Sequence, residues 1–235
     1  MRIIFLDVDG VLNTPDTEST TRSGHRFIDE DKVKLVCKLT QITGSIVVVS
    51  SGWCFGGMLS AAGVTEGAYV ADYNELMSKL SEYKVALGGR ISISSALPKD
   101  KGAGIREWLK QNDNRVEQFI VIDDNVDKLG LEEYSDKLIK TDSNVGITLD
   151  IVINAAKKLL RDSLISSSHN EVDVQEILDA IEDNSIADKL KETAIIENNE
   201  ERIDRIADIV IKEVLLENIN SKDRNNLTKF LVQVL

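Results

Sequence analysis

Asp7 and Asp9, one residue apart, close the apolar run Ile3-Ile4-Phe5-Leu6 just before Gly10. Successive side chains on a strand point to opposite faces, so the two carboxylates share a face and can converge on one ligand. Carboxylates that close repel each other, and a bound divalent cation is the usual remedy. Three more polar groups follow later apolar runs. Ser50 and Ser51 come directly after Ile46-Val47-Val48-Val49; Lys99 and Lys101 stand ahead of a helix expected to begin near Gly102; Asp123 and Asp124 close the run from Gln118. Taken singly each is unremarkable: a solvated turn, a strand end, a helix cap. In a parallel sheet, however, all strand ends point the same way, so the four groups can meet in one crevice. A carboxylate is a weak nucleophile and needs an in-line target held by a cation, which makes this conjunction the expected reactive site.

The elements that must position these groups alternate. Strands are expected over residues 2–7, 45–50 and 118–123, with shorter ones near Tyr69-Val70-Ala71 and Lys137–Thr141. Amphipathic helices are expected over 29–43 (Val33, Leu35, Val36, Leu39, Ile42), 100–112 (Ile105, Trp108, Leu109) and 148–163. Such alternation reads as βαβ units around a mainly parallel sheet. The texture changes at 164–170, where Ser166-Ser167-Ser168-His169-Asn170 forms a polar break. Beyond it apolar residues recur at helical spacing (Val174, Ile177, Leu178, Ile181; then Ile203, Ile206, Ile209, Val210, Val214, Leu215), which predicts three or four helices in a small bundle. The expected domains are therefore 1–163 and 171–235. Residues 164–235 carry 8 Lys/Arg against 16 Asp/Glu, read as a solvated helical face.

The chain has 235 residues, of which 42% are hydrophobic, so a sizeable core is available. Its net charge of −12 argues against general binding to nucleic acid or anionic lipid, which needs a basic surface. No apolar run approaches the about 20 residues that span a bilayer, and aspartates interrupt the apolar start, so neither a membrane span nor a signal peptide is expected. The expected location is the cytoplasm, with export by a signal other than a cleavable peptide left open. Cys37 and Cys54 are too few for a disulfide framework. Neither begins a Cys-x5-Arg signature, since Thr43 and Ser60 stand where the arginine would be. Both thiols are expected in the core. His25 is read as a bystander near the site, and Trp53 as an anchor for the helix after Ser50-Ser51 rather than a substrate platform. Gly56-Gly57 and Gly88-Gly89 are read as turn signals.

The segments Phe5-Leu-Asp-Val-Asp-Gly-Val-Leu12, Val47-Val-Val-Ser50, Lys101-Gly-Ala-Gly-Ile105 and Ile120-Val-Ile-Asp-Asp124 together resemble the haloacid dehalogenase (HAD) superfamily of Mg²⁺-dependent phosphotransferases. Leu12-Asn13, Ser50-Ser-Gly-Trp53 and Ile105-Arg-Glu-Trp-Leu109 are similar to a small-cap or capless branch. Where that branch often has arginine after the tryptophan, this chain has Cys54. The resemblance implies a Rossmann-like three-layer α/β sandwich followed here by a C-terminal helical bundle. It implies Asp7 as the nucleophile that becomes an aspartyl-phosphate, and Asp9 as the proton donor to the leaving oxygen and then the base for water. Ser50, with Ser51 beside it, and Lys101 would bind the phosphate, Lys99 being the rival lysine. Mg²⁺ would take Asp7, the Asp9 carbonyl and an aspartate of the 123/124 pair, Asp124 favoured, leaving Asp123 for the lysine.

The segments after Asn13 and between Ser50 and Lys101 have no room for a full α/β cap domain, so the expected site is open. The layout is similar to HAD-type protein tyrosine phosphatases, including some effectors of intracellular bacteria, and the leading expectation is a phosphoprotein substrate with phosphotyrosine favoured. The alternatives are a phosphatase for a small phosphomonoester, such as a nucleotide or sugar phosphate, and a scaffold whose helical domain carries the function by binding a protein partner or a longer C-terminal region.

Overall fold

The computed structural model describes residues 1–17, 21, 24–92, 100–125, 130–161, 178–179, 181–196, 198–216 and 221–234. They cluster into two compact units, Met1–Val152 and Ile153–Leu235. Lys99, the polar break at 164–170, and Val174 and Ile177 lie outside the described residues.

The first unit is built on five parallel strands: β1 (Arg2–Leu6), β2 (Ile46–Val49), β3 (Leu87–Arg90), β4 (Gln118–Asp123) and β5 (Leu138–Lys140), in the order β3-β2-β1-β4-β5. Ile3, Ile4, Phe5 and Leu6 of β1 and Ile120, Val121 and Ile122 of β4 are buried, as expected of strands covered on both faces. The connecting helices are α1 (Glu30–Thr43), α2 (Cys54–Ala61), α3 (Ala68–Glu82) and α4 (Lys101–Asn112). The chain moves from β1 through β2 to β3 on one side, then crosses to β4 and β5 on the other. The reversal opens a crevice at the carboxyl end of β1, between β2 and β4, the usual ligand position in an open α/β sheet.

One strand assignment and one turn assignment are corrected. Tyr69-Val70-Ala71 lies inside α3, where Val70, Leu76 and Leu80 are buried at helical spacing. The third strand is instead Leu87-Gly88-Gly89-Arg90, whose glycines read as a turn because they carry no alternating apolar pattern. A Cβ on Gly88 would stand 2.7 Å from Ile46 Cδ1, so glycine permits the close approach to β2.

Helix α4 delivers Lys101. Asp100 caps it, accepting from the Ala103 N–H at 2.8 Å. Trp108, further along, packs edge-on against Phe5 of β1 with ring centroids 5.5 Å apart. A Cβ on Gly102 would lie 1.8 Å from the Gly130 carbonyl oxygen, so the first turn sits against backbone that only glycine admits.

A helix α5 (Leu149–Arg161) falls across the boundary between the units. Further along lie α6 (Asn184–Lys191), α7 (Asn199–Leu216) and α8 (Ser221–Val234). Ile206, Ala207, Val210, Ile211, Val214 and Leu215 form the buried stripe of α7. Asp223 is fully buried and accepts the backbone N–H groups of Glu182 and Asp183 at 3.1 and 2.9 Å. Among the described residues no helix is long and apolar enough to cross a membrane.

Gly102→Ala should therefore destabilise the first unit by about 1–3 kcal/mol through overpacking against the Gly130 carbonyl. Gly52→Ala, whose Cβ would meet nothing within 4 Å, should be close to neutral. Urea unfolding midpoints compare the two directly, and equal midpoints would contradict this packing.

Candidate active site

Backbone pairing carries the polar groups to one level. The Asp7 N–H donates to the Ile122 carbonyl at 3.0 Å and the Ser50 N–H to the Leu6 carbonyl at 2.8 Å, so the parallel ladders continue to the residues that end them. Asp7, Ser50 and Asp123 thus lie side by side, and all three are buried. Lys101 enters from the start of α4, its Nζ 3.0 Å from Asp7 Oδ2 and hydrogen-bonded to Asp123 Oδ2. Burial alone would push the Lys101 ammonium down, but Asp7 and Asp123 outweigh it and hold the group charged.

Asp123 has both oxygens engaged, Oδ2 by Lys101 and Oδ1 by the Asn125 N–H at 2.9 Å. Its carboxyl is pushed up by burial and by the charge of Asp7. Asp124 is half-buried and pushed up by the same two causes. One carboxylate oxygen from each of Asp7, Asp123 and Asp124 falls within 4.8 Å of the others. Among the described residues one ammonium thus faces three clustered carboxylates, and a divalent cation would relieve the excess negative charge. The backbone leaves space for this arrangement. Gly10 has φ +77°, and a Cβ there would stand 2.5 Å from Asp124 Oδ2. Its carbonyl is buttressed by the Thr141 hydroxyl at 2.9 Å. Ser50 Oγ is buried and, among the described residues, has no hydrogen-bond partner. It is an unmet donor beside Asp7, fitted to an anionic oxygen. The Ser51 hydroxyl instead accepts from the Trp53 N–H at 3.5 Å. The donor set and the unmet hydroxyl fit a metal ion and a phosphate.

Asp9 has a different environment. Asn13 Nδ2 donates to its Oδ1 at 2.9 Å, while Trp53 Nε1 donates to Oδ2 at 3.1 Å. His25 Nδ1 also lies 3.1 Å from Oδ2. Burial works to raise the Asp9 carboxyl, yet the hydrogen bonds from His25, Asn13 and Trp53 prevail and hold it below the usual carboxylate range. An ionised carboxylate only accepts, so His25 Nδ1 is the donor. The bond to Asp9 in turn holds the imidazole above its ordinary value, against the opposing effect of partial burial. The rings of His25 and Trp53 stack at 4.9 Å with a 42° tilt. His25 is thus no bystander, and Trp53 is both an anchor and a ligand of Asp9. Asn13 shapes the turn, its Oδ1 accepting from the Gly10 N–H at 3.2 Å and its Nδ2 reaching the Arg26 carbonyl at 3.0 Å.

Cys54 is core, as its sequence context suggested. Its thiol donates to the Val49 carbonyl at 3.2 Å, and burial pushes it up to about 11, far from a reactive thiolate.

A parallel sheet whose switch-point crevice gathers a strand-end Asp-x-Asp, a serine, a lysine and an Asp-Asp pair defines the HAD class of α/β proteins. The chain belongs to the family described as the HAD domain in Swiss Army Knife RNA repair proteins, whose family model matches residues 3–152. That membership points to a phosphatase or hydrolase type of activity, and HAD domains typically use a metal ion. No curated protein and no solved structure matches the chain.

The Asp9–His25 contact has a pH signature. In metal-free protein His25 should titrate above the ordinary imidazole value of 6.5, and Asp9→Asn should lower its midpoint, as read by NMR. Because the imidazole is raised and the Asp9 carboxyl lowered, the pair's contribution to stability is full between the unfolded carboxylate and unfolded imidazole values. It is lost as pH rises through the folded imidazole value and as pH falls through the lowered Asp9 value. A midpoint unmoved by Asp9→Asn would contradict the contact.

Proposed function

We propose that this chain is a Mg²⁺-dependent phosphomonoester hydrolase that works through an aspartyl-phosphate on Asp7. The observation that supports this most is the convergence of Asp7, Lys101, Asp123 and Asp124 beside the unpartnered hydroxyl of Ser50. Asp7 attacks phosphorus in line, and the ester oxygen leaves with a proton from Asp9. Water then attacks the aspartyl-phosphate while Asp9 takes its proton. The three donors around Asp9 favour the ionised form that the second step needs. In the first step, the substrate's own negative charge beside Asp9 favours the protonated form. Ser50 and Lys101 hold phosphate oxygens, and Lys101 also pairs with Asp7. Asp7, Asp124 and the Asp9 carbonyl would hold Mg²⁺, with Asp123 retained by Lys101. When bound, the ion neutralises phosphate charge and orients the phosphoryl group towards Asp7.

The substrate we favour is the terminal phosphate of an RNA strand, because the family this chain belongs to is described by RNA repair. The net charge of −12 opposes binding along a strand, so the enzyme should read the end rather than the length. A phosphoprotein, phosphotyrosine above all, is the second reading. It is favoured by the lack of any folded cap domain among the described residues at the two positions where one would be inserted. Small phosphomonoesters and a scaffold role for the helical unit stand behind these.

Hydrolysis of p-nitrophenyl phosphate should require Mg²⁺, stop in EDTA, and fall at least about 1,000-fold in Asp7→Asn, since the nucleophile is removed. Wild type and Asp7→Asn equally inactive at every Mg²⁺ concentration would favour the scaffold reading, and full activity in EDTA would rule out the metal. End-phosphorylated RNA oligonucleotides should be turned over faster than phosphotyrosine peptides and nucleotide or sugar monophosphates, at rates independent of oligonucleotide length. Preference for the peptides or the small esters would overturn the RNA assignment.

A further inference from the structure

His25 comes from the segment between Asn13 and α1, yet it is delivered to Asp9 by identifiable bonds. The Thr21 N–H donates to the His25 carbonyl at 2.7 Å, and the Thr21 hydroxyl donates to Asp72 Oδ2 of α3 at 2.8 Å. Asn13 holds the neighbouring Arg26 carbonyl at 3.0 Å, and the Trp53 ring supports the imidazole from the other side. Thr21, His25 and Arg26 are thus tied to α3, to the turn after β1 and to the start of α2, with the imidazole nitrogen 3.1 Å from Asp9 Oδ2. Without His25, the described residues leave Oδ2 the Trp53 donor and Oδ1 the Asn13 donor.

We propose that His25 is a positioning residue that holds the Asp9 carboxylate in the orientation needed to hydrolyse the phosphoryl group from Asp7. The assignment rests on the roles of Asp7 and Asp9 proposed above. In that step the oxygen of water bonds to phosphorus as the bond from phosphorus to Asp7 breaks. The electron pair returns to the Asp7 carboxylate, one water proton passes to Asp9, and inorganic phosphate leaves. A carboxylate free to swing presents its oxygen to the water only part of the time, and a second donor on Oδ2 restricts that swing beyond what Asn13 and Trp53 impose. Attack by Asp7 on an ester with a weakly basic leaving group makes no such demand on Asp9.

The two steps separate in the kinetics of p-nitrophenyl phosphate hydrolysis by the full chain with Mg²⁺. Here kcat/KM reports the attack by Asp7, and kcat reports hydrolysis once that becomes slow. His25→Leu should release p-nitrophenolate in a burst of about one per active site, then turn over about ten-fold more slowly, a modest part of what a general base contributes. Its KM should fall in step, leaving kcat/KM unchanged. His25→Asn, whose side-chain amide can donate near the position of Nδ1, should recover most of kcat. A parallel loss of kcat/KM, an unchanged kcat, or an Asn variant no better than Leu would overturn the assignment. Wild-type protein inactive on this ester would overturn the phosphatase reading and this assignment with it; an active wild type with an unaffected His25→Leu would overturn this assignment alone. Independently of turnover, metal-free protein should show an exchange-protected His25 Nδ1–H resonance that is lost in Asp9→Ala. Its absence in wild type, or its persistence in Asp9→Ala, would also overturn the assignment.

Discussion

One ammonium among buried carboxylates organises the first unit. Lys101 reaches both Asp7 and Asp123, and the three groups are almost wholly withdrawn from solvent. Charges in that setting persist only when paired, and removing one partner of a buried pair commonly costs about 3–5 kcal/mol. Much of the surrounding backbone serves this contact: the Asp100 cap and Gly102 set the first turn of α4, and β1 and β4 carry the two carboxylates to the same level. Among the described residues the pairing is still incomplete, because Asp124 adds a third carboxylate that Lys101 does not bind. That residual negative charge is the physical basis for assigning a cation to the site.

Asp7 and Asp9 illustrate how neighbours on one strand end acquire different chemistry. Asp7 faces an ammonium and two acids, a setting that suits an ionised nucleophile beside a metal. Asp9 faces an imidazole, an indole and an amide, all donating to it. Two carboxylates whose environments differ this much are suited to separate roles, and environment rather than residue type divides the labour. The proposed division between attack and proton transfer follows from these partners.

The parts of the site legible in sequence are those that a parallel sheet delivers automatically. Asp7, Ser50 and Asp123 each end a strand of continuous apolar residues, and Lys101 opens a helix whose amphipathic pattern is plain. The third strand was not legible: Leu87-Gly88-Gly89-Arg90 has no alternation, and Val70, assigned to a strand, belongs to the buried stripe of α3. The partners of Asp9 were harder still. His25 sits in a polar segment without periodicity, and its contact depends on Thr21 reaching Asp72, far along the chain. Trp53 was recognisable as an anchor, but nothing in the spacing links its indole to Asp9. That the Ser50 hydroxyl is unpartnered among the described residues while Ser51 accepts from the Trp53 N–H needed coordinates.

The central claim is that Asp7 and Asp124 share a Mg²⁺ ion while Lys101 keeps Asp123. A crystal structure with Mg²⁺ and a phosphate mimic tests it most directly. The account predicts the ion between Asp7 and Asp124, the mimic in line with Asp7, Ser50 Oγ bonded to one of its oxygens, and Asp123 still on Lys101. An ion held by Asp123 in place of Asp124, or a mimic bound away from Asp7 with Ser50 unpartnered, would contradict it.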